Sequence, residues 1–412
     1  MEVRQPNAKY LTNPAYRESE IGSIPGDWAV IKLASRASIQ SGIAKNSSAM
    51  FRDPVSVPYL RVANVQDGYL DLDEVSLIDI ERADLSRYAV LPGDVLMNEG
   101  GDLDKLGRGA LWRGQINPCV HQNHVFVVRC KKGLVPEYLN AWTSTTQARR
   151  YFMLAGRQTT NLASINKTSL GELTVAVPPT EQEQREIAKA IDNADALIDS
   201  LEQLLTKRRQ IKQGAMQELL TGNRRLPGFA GDWTCAPLGE IARIKTGSMN
   251  NQDKVEDGEF PFFVRSQSVE RIDTYTHDCE AILIPGEGGI GSIFHYFHGR
   301  FALHQRVYGI TDFSESVLGR FVYFFMRVFF GPHAMENSVK ATVDSLRLPT
   351  FMTFEVRLPP TVAEQTAIVE VLSDLEVNIV ALEERLTKAR ALKQAMAQAL
   401  LTGRIRLVEP SA

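Results

Sequence analysis

Two long segments of the chain carry apolar residues at alternating steps of three and four positions. These positions are Ile187, Ile191, Ala194, Ile198, Leu201 and Leu205 in the first segment, and Ile368, Leu372, Leu375, Ile379, Leu382 and Leu386 in the second. Because such steps bring every apolar residue onto one stripe of an α-helix, the pattern predicts two helices with coiled-coil seams. The alternative is that each long helix packs on its own globular domain.

Start and stop signals bound each helical segment. Pro-Pro-Thr opens both segments, and a glutamate follows the threonine after three residues, Glu183 in the first segment and Glu364 in the second. This is the spacing of a capping box. Each segment closes at Leu-Thr-Gly, where Gly222 and Gly403 stand at the usual position of a helix-ending glycine.

The two helical segments are copies of one sequence. Residues 178–226 align without a gap with residues 359–407 at a constant offset (359 − 178 = 181), and 22 of the 49 positions are identical. Identity at this level is far above chance for unrelated helices and identifies an internal repeat.

A weaker repeat precedes each helical copy. Gly-Asp-Trp at residues 26–28 returns at residues 231–233, at an offset of 205 (231 − 26). Beyond these anchors the match survives in patches, which pair 58–68 with 261–271 and 121–128 with 304–310. The chain therefore alternates a variable arm with a constant helix twice, and the first arm is 24 residues longer than the second (205 − 181).

The arms themselves indicate mixed structure. Alternating runs at 124–130 and 280–285 predict strands, and stretches at 136–153 and 316–328 predict helices. The expected fold class is α+β, with two arms of mixed α/β structure separated by two long helices that form an antiparallel coiled coil. The expected segments are a first arm at 1–177, a first helical region at 178–226, a second arm at 227–358 and a second helical region at 359–412.

The direction of helix pairing follows from charge. Each helix is acidic in its first half and basic in its second half: Asp195 and Glu202 precede Arg209 and Lys212, as Glu376 and Glu383 precede Arg390 and Lys393. Parallel pairing would place acid beside acid, whereas antiparallel pairing places each acidic half beside a basic half. The alternative, that each gradient only complements its own helix dipole, leaves the seam unexplained.

Composition is that of a folded protein, with 44 % hydrophobic and 23 % charged residues. The sequence lacks both an apolar run long enough to span a membrane and a signal peptide, so we expect a cytoplasmic location. Four cysteines without paired spacing fit a reducing compartment. A net charge of −3 is unusual for a protein that holds DNA unaided, but not for a subunit whose partners supply most phosphate contacts.

Several short motifs suggest chemistry that their context does not support. Residues 286–291 have the form GxGxxG, but a β-like segment follows where a nucleotide-binding fold needs a helix. Residues 13–16 and 102–105 are fragments of methyltransferase and nuclease patterns without the rest of either. His295 and His298 would lie on opposite faces of a strand. We therefore expect no catalytic residues, no metal site and no cofactor bound by this chain.

The chain resembles type I restriction-modification specificity subunits. The features that carry the resemblance are the helix ends at 212–222 and 393–403, the Pro-Pro-Thr starts leading into Glu-Gln, the Gly-Asp-Trp openings and the segment PYLRVANVQDG at 58–68. The resemblance implies that the arms are target recognition domains and that the protein is a non-catalytic subunit. It also implies two modification (methyltransferase) subunits with bound S-adenosylmethionine, restriction subunits with ATP and Mg, and a bipartite, asymmetric double-stranded DNA target.

The repeat suggests which polar residues read DNA. Residues shared by both arms, such as His121-Gln122 and His304-Gln305, should serve the scaffold or contact the DNA backbone, because base readers must differ between half-sites. The divergent loop residues are the candidate DNA contacts: Asn98, Lys105, Arg108, Arg157, Gln158 and Asn161 in the first arm, and Arg265, Gln267, Ser292, Lys340 and Thr342 in the second.

Three other functions are compatible with parts of the pattern. A related bifunctional restriction enzyme that cuts on both sides of its site would use a similar specificity subunit. A DNA methyltransferase with its own recognition arms would need an intact cofactor motif. A coiled-coil scaffold that does not bind DNA would need only the helices.

Overall fold

A computed structural model describes residues 15–45, 50–103, 106–158, 163–289, 291–336 and 345–407. Its contacts divide the chain into two compact units, residues 1–200 with 386–412 and residues 201–385. Each unit contains one arm, the first half of the helix that follows this arm and the second half of the other long helix. The four segments expected from the sequence stay a prediction, since the units divide both long helices near their middle.

The first unit contains an arm of short strands and helices. Its strands are β1 Tyr16–Ser19, β2 Gly22–Pro25, β3 Ala29–Lys32, β4 Ala37–Ser41, β5 Pro54–Leu60, β6 Ser76–Glu81, β7 Val95–Asn98, β8 Gly100–Gly101, β9 Gly109–Leu111, β10 Val120–His121, β11 Val125–Cys130, β12 Arg157–Gln158, β13 Ala163–Ser164 and β14 Thr174–Val177. Its helices are α1 Leu33–Arg36, α2 Leu85–Tyr88, α3 Pro136–Thr143, α4 Thr146–Ala155 and α5 Lys167–Gly171, and the long helix α6 Glu181–Leu219 follows.

The second unit contains a shorter arm. Its strands are β15 Thr234–Pro237, β16 Arg243–Thr246, β17 Phe260–Phe263, β18 Val269–Ile272, β19 His277–Pro285, β20 His295–Leu303, β21 Val307–Thr311 and β22 Glu355–Leu358. Its helices are α7 Leu238–Ile241, α8 Gly319–Glu336 and α9 Leu348–Met352, and the long helix α10 Val362–Leu401 follows. The α+β expectation is confirmed.

The two arms share one sheet plan. The second arm has a six-stranded sheet in the order β16-β21-β19-β20-β17-β18. The first arm has the same plan in two pieces, β4-β11-β7-β9 and β10-β5-β6. Strand β20 pairs antiparallel with β19 and parallel with β17, and these two roles fall to β9 and β10 in the first arm. Residues 112–119, between β9 and β10, therefore split one strand into two.

The long helices pair antiparallel in each unit. In the first unit Lys393 forms an ion pair with Asp195, and in the second Lys212 Nζ lies 2.6 Å from Glu376 Oε1. Of the two α6 residues, the one with the higher number pairs with the α10 residue that has the lower number, as antiparallel helices require. Both pairs join the acidic half of one helix to the basic half of the other. The predicted antiparallel coiled coil is confirmed. Of the twelve seam residues named above, nine are buried and three are half-buried, namely Ala194, Leu375 and Ile379.

A buried arginine joins the first arm to both helices. Arg406, five residues after the end of α10, donates from Nε and Nη2 to the carboxylate of Glu183 in the first turn of α6. It also donates to both carboxylate oxygens of Asp27, each at 3.1 Å. Its guanidinium lies 5.8 Å from the ring centre of Trp28. The side chains of Arg406 and Glu183 are each 1 % exposed, so the pair is shielded from water.

The second unit repeats this arrangement, which we call the arginine latch. Arg225 donates to Glu364 at 2.5 and 2.7 Å and to the carbonyl of Gly231 at 2.7 Å. Its guanidinium lies 5.8 Å from the ring centre of Trp233. In each unit the latch ties the start of one long helix, the Gly-Asp-Trp opening of an arm and the segment after the other helix.

The latch corrects the capping-box prediction. Thr180 Oγ1 accepts from the backbone N–H of Glu183 at 3.2 Å, and Thr361 Oγ1 accepts from that of Glu364 at 3.3 Å. The threonine half of the box therefore forms. The glutamate carboxylates bind the latch arginines instead, because a guanidinium fork offers two hydrogen bonds between opposite charges, whereas the backbone N–H of the cap offers one hydrogen bond from an uncharged donor.

The glutamine after each latch glutamate holds the arm's own helix. Gln184 Oε1 accepts from Val135 N at 2.8 Å, directly before α3, and its Nε2 donates to the Gly133 carbonyl at 3.2 Å. Gln365 makes the same pair of bonds to Leu318 N and the Ser316 carbonyl, directly before α8. The Glu-Gln pair at each helix start thus fixes two parts of the adjoining arm to the long helix, its Gly-Asp-Trp opening through the latch arginine and the start of α3 or α8 through the glutamine.

We predict that Arg406→Ala destabilises the protein by about 3–5 kcal/mol, because it leaves two carboxylates without their partner, one of them buried. Arg225→Ala should cost less, since Arg225 is 25 % exposed and binds one carboxylate. The control is Arg243→Ala, whose ion pair with Asp312 is exposed and contributes about 0–1 kcal/mol. Calorimetric melting of the full chain measures all three. Equal melting of the Arg406 and Arg243 variants would contradict the latch.

Candidate nucleic-acid interface

Three loops of the second arm meet at one edge of its sheet. Arg265 follows β17, Glu287 follows β19 and Arg306 precedes β21. Both arginines bind the same carboxylate, at 3.2 Å from Arg265 Nη1 and 3.1 Å from Arg306 Nη1. The arginine side chains are 44 % and 60 % exposed, so both retain donors toward solvent. Two cations around one carboxylate give this edge a positive charge that suits phosphate oxygens and guanine.

A third arginine lies at the same edge. The Tyr308 hydroxyl donates to the carbonyl of Leu346 at 3.3 Å, which places the neighbouring Arg347 beside β21. Burial raises the pKa of Tyr308, and the charges of Arg306 and Arg347 oppose this rise. The candidate interface of the second arm therefore combines Arg265, Arg306 and Arg347 around Glu287.

The glycine-rich segment 286–291 is a turn within this edge. It joins β19 to β20, which pair antiparallel, so a strand follows it where a nucleotide-binding fingerprint needs a helix. Gly288 and Gly289 have φ values of +71° and +63°, which side chains rarely adopt. A Cβ on Gly291 would lie 2.6 Å from the Cα of Gly331 in α8. The glycines thus let the turn approach α8 closely.

The other predicted residues of the second arm divide into two groups. Gln267 is exposed in the loop after β17, next to Arg265. Ser292 is exposed in the glycine-rich turn, and its hydroxyl donates to the Gly289 carbonyl at 2.7 Å. Lys340 and Thr342 lie outside the described residues. The structure therefore brings Arg265, Gln267 and Ser292 to one part of the arm.

Asn98 is not in a loop, and this corrects the placement on which its prediction as a DNA contact was based. It is the last residue of β7, only 5 % exposed, and its Nδ2 donates to the Val65 carbonyl at 2.8 Å. The side chain holds the turn after β5 in the core of the first arm. The sequence does not show where β7 ends and the following loop begins. It therefore gave no sign that this polar residue belongs to the strand and is buried.

The remaining predicted residues of the first arm are only partly described. Arg108 is half-buried, and its Nε has no hydrogen-bond partner among the described residues. Arg157 is exposed in β12. Lys105 and Asn161 lie outside the described residues, and for Gln158 only the backbone, in β12, is described.

The His-Gln pairs of the two arms are not structurally equivalent. The backbone N–H of Ile43 donates to the carbonyl of His121, as that of Met249 does to the carbonyl of Leu303. His121 therefore corresponds to Leu303, and His304 is one position further along. Both histidines are nevertheless buried within the arms: His121 Nδ1 bonds the Val125 carbonyl at 2.7 Å, and His304 Nδ1 accepts from the Arg306 N–H at 3.0 Å.

The corrected register shows residues that the sequence pattern missed. The N–H of Glu99 donates to the His124 carbonyl in the first arm, and that of Gly286 to the Arg306 carbonyl in the second. His124 and Arg306 therefore occupy the same position, and His124 Nδ1 pairs with Glu99 at 2.7 Å. At this position the two arms share a backbone hydrogen bond but differ in side-chain type and charge. Two arms that read different bases require positions of this kind. The one-residue shift concealed it in the sequence.

Within the described residues, no helix is long and apolar enough to cross a membrane. Across the same part of the chain, no group of three or more His, Cys, Asp and Glu side chains is arranged to hold a metal ion.

Comparison with known proteins gives one family in two copies. The family described as type I restriction modification DNA specificity domain matches residues 25–213 and 230–390. The putative type I restriction enzyme MjaX specificity subunit of Methanocaldococcus jannaschii is 24 % identical over 430 aligned positions, covering 95 % of this chain and 97 % of that protein. The type I restriction enzyme EcoDI specificity subunit of Escherichia coli is 30 % identical over 171 positions, covering 42 % of this chain and 37 % of its own length.

Solved structures share the fold. The S subunit of the type I restriction-modification system from M. genitalium superposes with a TM-score of 0.61 at 13 % identity, covering 90 % of this chain and 96 % of that chain. A chain from a structure on complex assembly and conformational transition of the type I R-M system gives a TM-score of 0.53 at 16 % identity, covering 92 % and 99 %.

We predict a stability change tied to His121. Burial lowers its pKa below the usual 6.5, although its bond to the Val125 carbonyl opposes this. The unfolded chain therefore binds a proton below about pH 6.5 that the folded chain does not, so stability falls as the pH drops through that value toward the folded pKa. His121→Asn keeps a donor for Val125 and should remove this part of the pH dependence. Melting temperatures of both proteins from pH 8 to 5 test this, and parallel curves would contradict it.

Proposed function

Because this chain belongs to the type I restriction-modification DNA specificity family, we propose that it recognises a specific double-stranded DNA sequence for partner subunits. Its target is bipartite and asymmetric, with one half read by each arm. It directs modification (methyltransferase) and restriction subunits to that target and contributes no catalytic group of its own.

The observation that carries this proposal is the contrast between the latches and the arm edges. The latch repeats with the same residue types at the same offset, Arg406 with Glu183 and Arg225 with Glu364. The edges do not repeat: the position of Arg306 in the second arm is His124 in the first. A constant frame with divergent polar edges supports two readers of different half-sites.

The chemistry is assigned to the partners. We infer two modification subunits that bind S-adenosylmethionine and transfer its methyl group to adenine, and restriction subunits that use ATP and Mg. The net charge of −3 supports a division of labour in which the partners supply most phosphate contacts and this chain supplies base contacts. The specificity subunit then sets where the partners act.

The proposal is tested by mapping methylated adenines across the host genome with and without this gene. We expect one bipartite motif to lose methylation when the gene is deleted and to regain it when the gene is restored. The matched control is a strain that lacks a modification subunit gene, which should lose the same motif. An unchanged methylation map after deletion of this gene would overturn the proposal.

A further inference from the structure

A cleft of about 500 Å³ lies in the second unit where α6, α8 and α10 meet. Its cationic lining is Arg209 and Lys212 from α6 and Arg327 from α8. Its other lining residues are Gln213, Met216, Gln217, Val328 and Ile379.

Positive charge exceeds negative charge around this cleft. Glu376 receives Lys212 Nζ and Arg327 Nη1 at 2.6 Å each and Arg320 Nη2 at 3.5 Å. Burial raises the pKa of the Glu376 carboxyl, but the hydrogen bonds and charges of Lys212 and Arg327 outweigh burial and lower this pKa. Three cations thus share one carboxylate, while the pair of Arg209 with Glu383 is balanced. Glu280 accepts from the Tyr296 hydroxyl at 2.5 Å, and Arg320 lies over the Tyr296 ring. Counting Glu280 as well leaves four cations, Arg209, Lys212, Arg320 and Arg327, against three carboxylates.

The first unit lacks the cations that create this surplus. Gln184 and Gln365 bind equivalent backbone groups directly before α3 and α8, which pairs Val135 with Leu318 at an offset of 183 (318 − 135). At this offset Arg320 and Arg327 correspond to Glu137 and Ser144, neither of which is a cation. The constant helices repeat Lys212 as Lys393, which forms an ion pair with Asp195. The surplus therefore comes from the second arm.

The cleft lies beside the candidate DNA edge of the same unit. Arg327 and Gly331 are four residues apart on α8, so they share one face of the helix about 6 Å apart along its axis. Gly331 packs against Gly291 in the glycine-rich turn. A DNA strand that is held at that turn and follows α8 would pass Arg327 about two phosphates further on, roughly 7 Å at the 3.4 Å rise per phosphate of each strand.

We propose that this cleft is a subsite for a backbone phosphate of the DNA, held by Arg327, Lys212 and Arg209. This inference rests on the proposed DNA recognition and adds a contact made by the helical frame, on one side of the target only. Guanidinium, ammonium and amide N–H groups around an apolar floor provide donors for a phosphate oxygen and no base selectivity. An acidic segment of a protein partner is the competing occupant, and the nearness of the glycine-rich turn favours DNA.

The test is the salt dependence of DNA binding by the full chain in complex with its modification subunits. The probes are two 30-base-pair duplexes, one bearing the mapped target and one of scrambled sequence, and binding is followed by fluorescence anisotropy between 50 and 300 mM KCl. The two test variants are Arg327→Gln and Arg209→Gln. If Arg327→Gln lowers the melting temperature of the protein, Arg209→Gln still tests the subsite. The matched control is Arg390→Gln, the copy of Arg209 in the first unit.

Loss of one phosphate contact should reduce the slope of log K against log salt by about 0.9 and weaken binding about eightfold at 0.1 M salt. We expect this for both duplexes with Arg327→Gln and Arg209→Gln, and an unchanged slope with Arg390→Gln. Unchanged slopes in correctly folded variants would overturn the subsite, as would an equal effect of the control. Weaker assembly with the modification subunits at unchanged DNA slope would assign the cleft to a protein partner instead. Equal affinity of the unsubstituted complex for the two duplexes would refute the proposed function separately.

Discussion

The buried bond between Arg406 and Glu183 is the interaction on which the first unit depends, as the second depends on Arg225 and Glu364. A buried ion pair is stable only when its geometry is good and its remaining donors are satisfied. Here Asp27 or the Gly231 carbonyl accepts those donors, and the indole of the arm's first tryptophan covers the guanidinium. Each latch therefore requires three distant segments at once. An arm cannot dock without the start of one helix and the segment that follows the other.

This requirement separates what is constant in the chain from what varies. The latch arginines and glutamates, the glutamines that follow these glutamates and the helix seams all recur at one offset, because they build the same junction twice. The arm edges are free of that requirement. One edge carries His124 where the other carries Arg306, and only the second arm adds Arg320 and Arg327 beside the helices. A conserved frame can thus hold two arms that differ in length and charge.

Much of the frame was predictable from the sequence, because its signals are local. The long helices are predicted by apolar residues at alternating steps of three and four, with proline before each helix and glycine after it. Their antiparallel pairing is predicted by the acidic first half and the basic second half of each helix. The role of Glu183 was not predictable, since its partner Arg406 lies 223 residues away. The arm edges were least predictable. Asn98 is buried by a turn that precedes it by more than thirty residues, and a one-residue shift between two similar His-Gln pairs hid the equivalence of His124 and Arg306.

The central claim is that each arm reads its half of the target independently on the shared frame. The most direct test replaces residues 29–177 with the corresponding arm of a relative of known target, while keeping Asp27, Trp28 and the latch. Methylated adenines are then mapped in cells that also supply the modification subunits. The account predicts a hybrid motif in which one half is replaced by the relative's half and the other half is unchanged. A motif altered in both halves would contradict it.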